Sequence, residues 1–106
     1  MSEQIRLLLS RLRGQLEEVY GDRLCGLYLY GSFARGNQDT ESDVDVMIVL
    51  DQVDAYGAEI ERTSALISSL SLESRQSISR VFVSLNDWSE RDSPFLANVR
   101  EEAIAA

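Results

Sequence analysis

Between Glu3 and Tyr20 the apolar residues Ile5, Leu8, Leu9, Leu12, Leu16 and Val19 recur at helical spacing. That period predicts an amphipathic helix, with Gly21 placed to end it. Leu24 to Tyr30 is a short apolar and aromatic run closed by Gly31, the signature of a largely buried strand. Ser32 to Arg35 fits one helical turn stopped by Gly36, and Asn37 to Ser42 is polar loop. Val44 to Leu50 is almost wholly apolar beyond Asp45 and reads as a second buried strand. A further helix is expected from about Ala55 to Leu70, with Tyr56, Ile60, Ile67 and Leu70 along one stripe. Ile78 to Leu85 gives a third strand. Ser93-Pro94 then has the form of an N-cap followed by proline at the first helical position, opening a helix that carries Phe95, Leu96, Val99 and Ala103. The order α-β-turn-β-α-β-α predicts an α/β (α+β) fold, a small mixed β-sheet flanked by helices. With no repeat, linker or low-complexity tract, residues 1–106 are expected to form a single domain.

Charge narrows the chemistry. Eighteen acidic residues against ten basic ones give a net charge of −8. Such a surface argues against direct binding to a nucleic-acid backbone, which needs a basic footprint. Every basic residue is Arg, and there is no His. Lysine Schiff-base chemistry, Ser-His hydrolysis and His-ligated zinc are therefore excluded. Cys25 is the only cysteine, so no intrachain disulfide can form; its apolar surroundings predict a buried, inert thiol. Leu7-Leu8-Leu9 is too short for a signal segment, and no stretch has the length of a membrane span. A cytoplasmic protein is expected.

The informative segment is Gly31-Ser32-Phe33-Ala34-Arg35-Gly36, followed by Ser42-Asp43-Val44-Asp45. Aspartate is disfavoured in strands, yet two stand one residue apart at the start of one. Side chains at i and i+2 of a strand share a face, roughly 6–7 Å apart at the backbone. Two anions so placed repel each other unless a cation lies between them, and magnesium prefers such oxygen ligands. Gly31 lets backbone come close to a phosphate, and Ser32 adds a hydroxyl donor. Either half alone is weak: Gly-Ser pairs occur in many turns, and paired acids often only face solvent. If the two flanking strands are neighbours, phosphate donors and metal ligands meet at one end of the sheet. A nucleoside triphosphate with magnesium fits such a site.

Gly-Ser-x-Ala-Arg-Gly followed at this interval by Ser-Asp-x-Asp resembles the DNA polymerase beta-like nucleotidyltransferase superfamily. The short chain resembles its minimal nucleotidyltransferases, which often serve as antitoxin partners of HEPN-type RNase toxins. The resemblance covers Leu24 to Leu50 with specific motifs and otherwise rests on element order. It implies a nucleotidyltransferase fold and transfer of a nucleoside monophosphate, AMP from ATP, to an acceptor hydroxyl with release of pyrophosphate. Asp43 and Asp45 carry over as the catalytic, metal-binding residues for one or two Mg2+ ions. Gly31, Ser32 and Arg35 carry over as nucleotide contacts, although Arg35 could instead pin the loop by pairing with Asp39 or Glu41. Implied partners are a nucleoside triphosphate and a HEPN-type toxin, and a homo-oligomer is compatible. The alternative is a catalytically weak or inactive antitoxin that neutralises its toxin by direct binding.

Superfamily members usually add a third carboxylate from a later strand. Here that strand, Ser77 to Ser84, has no acid; Glu73 precedes it and Asp87 follows it. Without a third anion a second metal is held weakly and a general base is lacking. Arg80 is a candidate to bring positive charge towards the site. The chain is expected to lack the apolar closing strand of many relatives. Tyr28 and Tyr30 are expected in the core rather than stacked on a base. Trp88 either covers the sheet or meets a partner, and Glu101-Glu102 reads as a solvated helix face.

Overall fold

The computed structural model describes residues 1–106. Its frame is a four-stranded mixed sheet in the order β3-β2-β1-β4, formed by β1 (Leu24–Tyr30), β2 (Val44–Leu50), β3 (Ile78–Ser84) and β4 (Ile104–Ala105). β1 and β2 pair antiparallel, and Tyr30 lies opposite Asp45. β2 and β3 pair parallel, with the long helix α3 (Tyr56–Ser74) as the crossover. The N-terminal helix α1 (Glu3–Tyr20) begins at Ser2, whose hydroxyl accepts the Ile5 N–H, and stops at Gly21 with φ +56°. One turn, α2 (Ser32–Arg35), follows β1 and ends at Gly36 in the left-handed region. After β3 come α4 (Leu85–Glu90) and α5 (Pro94–Glu102), capped by Ser84 and Ser93.

Strand alternation sends β2 side chains into two cores. Val44, Val46, Ile48 and Leu50 join the larger one with Leu8, Leu12 and Leu16 of α1 and Ile67 and Leu70 of α3. Met47 and Val49 face the other way, into a smaller core closed by Leu96 and Val99 of α5. Asp45 has the parity of Met47 and Val49, so it lies on the α5 side. Tyr28 and Tyr30 pack into that smaller core, as expected, and Trp88 stacks on Tyr28 at 4.7 Å. Trp88 therefore covers the sheet. No helix is long and apolar enough to cross a membrane.

Several expectations are corrected. Cys25 is exposed, because the β1–β2 register skips it between Leu24 and Gly26 and the bulge turns its thiol outward. Arg80 points away from the acids: it pairs with Val46 in the ladder and donates from Nε to Thr63 Oγ1 at 2.8 Å and from Nη2 to the Ile60 carbonyl at 2.8 Å. A short closing strand exists after all, since β4 adds antiparallel to Tyr28 and Leu29 of β1. Tyr56, expected on the buried stripe of α3, is largely exposed, although its ring meets Phe82 edge-on and its hydroxyl accepts the Phe82 N–H. The helix itself runs on to Ser74, and α4 adds a turn not expected from the sequence.

Candidate active site

The loop from Asn37 to Ser42 delivers β2 in a fixed geometry. Asp39 accepts the Glu41 N–H at 2.9 Å and donates its own N–H to Ser42 Oγ at 3.0 Å. The next residues, Asp43 and Asp45, are then carried on one face of the strand opening. Asp43 is exposed and Asp45 half-buried. Burial first, and then the charge of Asp43, push the Asp45 carboxyl above its usual range, although Arg35 opposes the shift. A half-buried carboxylate with a second acid beside it makes a receptive place for a cation.

Gly31 meets this pair from β1. Its φ is +78°, a conformation that side chains rarely adopt. A Cβ there would collide with the Asp45 carboxylate, lying 3.2 Å from Cγ and 3.3 Å from Cβ of that residue. Only glycine lets the turn and the acid come together so closely. Ser32 follows, half-buried at the start of α2, while Phe33 and Ala34 anchor that turn on the larger core. The Gly31 carbonyl accepts the N–H groups of Ala34 and Arg35, both at 3.0 Å, which closes the turn.

Of the five residues singled out by sequence, Gly31, Ser32, Asp43 and Asp45 thus share one end of the sheet. Arg35 is close to Asp45 but forms an ion pair with neither Asp39 nor Glu41. Its Nη1 donates to Glu102 Oε2 at 2.9 Å. The other oxygen of Glu102 accepts the Gly31 N–H at 3.2 Å. Glu102 is accordingly a site residue that sequence reading missed, not a solvated one. The hydrogen bond from Arg35 chiefly holds its carboxyl below the ordinary range; burial opposes that, and the Gly31 N–H assists.

No third acid joins Asp43 and Asp45 from β3. Ser79 occupies the position beside Asp45. Glu73 pairs with Arg11 between α3 and α1, and Asp87 sits in α4 beside Arg91. Tyr30 offers no base either, since burial and then the Asp45 charge push its phenol up to about 12. The donor set suits one divalent ion that completes its shell with water and phosphate oxygens. The surface cavities are lined by other residues, so the acids stand at an open sheet end.

Known proteins share this arrangement to different depths. A solved toxin–antitoxin structure with AMP-PNP matches at TM-score 0.60 and 22% identity, over 90% of this chain and 69% of that one. A mutant of the toxin–antitoxin pair MntA-HpeT matches at TM-score 0.59 and 21% identity, over 92% of this chain and 70% of that one. At these identities the likeness is one of fold. A Methanocaldococcus jannaschii protein that bears the provisional name protein adenylyltransferase MJ0141 is 35% identical over 46 residues, 43% of this chain. The aligned stretch spans 46% of that relative, about half its length. The family model described as "Polymerase beta, Nucleotidyltransferase" matches residues 20–104, from the end of α1 through β4. With the turn, the paired acids and the mixed sheet all inside that match, the chain belongs to the polymerase beta nucleotidyltransferase family.

Proposed function

We propose that this protein is a magnesium-dependent nucleotidyltransferase that moves AMP from ATP to a hydroxyl of a partner protein, a HEPN-type toxin. The observation that carries the reading is the meeting of Gly31 with Asp45, which brings the glycine turn against the acids that would hold the ion. Asp43 and Asp45 would hold the ion. When bound there, Mg2+ would supply charge neutralisation for the triphosphate. The Gly31 N–H and the Ser32 hydroxyl would hold phosphate oxygens, and Arg35 would steady charge on the departing pyrophosphate. In the transfer, an acceptor oxygen bonds to the α-phosphorus and the bond to the bridging oxygen of the β-phosphate breaks. The acceptor proton passes to water, since both acids would be engaged with the ion.

A protein acceptor agrees with the open site and with a net charge of −8, which disfavours nucleic acid. The adenylyltransferase name of the M. jannaschii relative and the toxin–antitoxin assemblies among the structural matches support the same choice. Such a pair would work in the cytoplasm. Incubation with labelled ATP, magnesium and the protein encoded by the neighbouring gene tests the proposal. Label should appear on the toxin, and Asp43→Asn/Asp45→Asn should abolish it; equal labelling with the double variant overturns the assignment.

A second reading is favoured by Ser79, which stands where a third acid would complete the site. In it the chain is an antitoxin that neutralises by contact alone. Growth rescue by the Asp43→Asn/Asp45→Asn protein separates the two: the binding module keeps rescue, and the enzyme loses it.

A further inference from the structure

We propose that the Glu102 side chain is a resident anion of the triphosphate turn, occupying the phosphate's donors until a nucleotide displaces it. This rests on the nucleotidyltransferase reading above and concerns how that same site is regulated. The two oxygens of Glu102 take the Gly31 N–H at 3.2 Å and Arg35 Nη1 at 2.9 Å. Those are a backbone donor and a guanidinium that a phosphate edge would use in the same way. The carboxylate therefore imitates the ligand.

Its position is otherwise unfavourable. Glu102 is the last residue of α5, where helix carbonyls make the surroundings negative, and its charge bears on Asp45. The donors of the turn hold it against both repulsions, so a ligand of higher charge can replace it. Replacement does not require the backbone to move. Ala103 N–H is bonded to the Val99 carbonyl at 2.8 Å and Ala106 N–H to the Leu27 carbonyl at 2.9 Å, which fixes the chain that follows Glu102. Side-chain rotation alone releases the carboxylate, since the side chain is already 24% exposed. Arg35 then passes from Glu102 to the incoming phosphate. Pairing with Glu102 and phosphate binding thus become two states of one arginine.

The test follows the Gly31 amide by NMR in the full chain during titration with magnesium tripolyphosphate, which carries no base. Wild type, Glu102→Ala and Glu102→Gln are compared. Glu102→Gln keeps an oxygen for the Gly31 N–H and preserves the fold if the alanine variant does not. Glu102→Ala should saturate at a concentration roughly 10-fold lower than wild type, the scale of one charge-assisted hydrogen bond removed from competition. Glu102→Gln should lie between them. Equal saturation in all three proteins overturns this inference and leaves the nucleotidyltransferase reading standing. A Gly31 amide that responds in none of them overturns both.

Discussion

Ser79 lies directly beside Asp45, one strand over and on the same face of the parallel β2–β3 ladder. Neighbouring strands are about 4.8 Å apart, so a carboxylate at position 79 would reach an ion held by Asp45. Ser79→Asp should lower the magnesium concentration needed for AMP transfer and raise the rate at least about tenfold, below the usual gain from a positioned base. Three clustered acids should also cost stability in EDTA, recovered when magnesium is added. Transfer assays and thermal melts across a magnesium series check both effects. An unchanged magnesium requirement would remove β3 from the metal site.

Much of this site could be read from sequence because it is local. The bounds of α1, β1, α2 and β2 follow from periodicity and glycines alone, and the Gly31-Ser32 to Asp43/Asp45 interval lies on adjacent antiparallel strands. Glu102 was not legible, because its contact with Gly31 spans 71 residues and no local pattern announces it. Arg80 was legible in principle: it shares the parity of Ile78 and Phe82, both buried in the larger core. For α4, the signal was Ser84 three residues before Asp87, an N-cap pattern that the structure uses at 3.1 Å. Cys25 sits at a bulge, and apolar neighbours do not predict a register shift.

Gly31 should tolerate no side chain. Gly31→Ala combines a φ of +78° with a clash against the Asp45 carboxylate. The left-handed conformation alone should cost about 1–2 kcal/mol. Denaturant melts should show that loss, and nucleotide binding should fail even under conditions where the variant is folded. Gly36→Ala, at φ +79° in the ordinary left-handed region and with open space around its Cβ, is the control: a smaller destabilisation with nucleotide binding retained.

Asp45 as a metal ligand, in the proposed function, would trade stability for cation binding. Its carboxyl is raised by burial and by Asp43, so its charged form weakens the folded state in the absence of metal. A raised acid stabilises while protonated, and that contribution is lost as pH rises through its folded value. Asp45→Asn should therefore melt higher than wild type in EDTA at neutral pH, by about 1–3 °C for a few tenths of a kcal/mol. Magnesium should raise the wild-type melting temperature and leave the variant unmoved. Calorimetric scans with and without the ion give both readings. A lower melting temperature for the variant in EDTA would show that Asp45 contributes net stability as an anion.

The buried acid Glu59 has the opposite character. It is only 5% exposed, near the start of α3, and accepts the Tyr20 hydroxyl at 2.8 Å and Arg62 Nε at 3.0 Å, with Arg23 Nη2 at 3.6 Å. Burial alone would raise its carboxyl, but hydrogen bonds from Tyr20 and Arg62 and the two arginine charges outweigh that, leaving it below the ordinary range. A depressed acid stabilises at pH values above its unfolded value, about 4.3, and that contribution is lost as pH falls through the lower folded value. Wild type should therefore lose stability as pH drops from 5 towards 3 more steeply than Glu59→Gln, which carries no titrating proton there. At pH 7, Glu59→Ala should cost about 1–3 kcal/mol, because the Tyr20 hydroxyl is left without its acceptor. Tyr20→Phe in the Glu59→Ala background should then cost little more, since the shared bond is already gone. Urea melts of the four proteins measure that coupling. Additive losses would mean that α1 and α3 are joined here by packing of the Tyr20 ring rather than by the Tyr20–Glu59 bond.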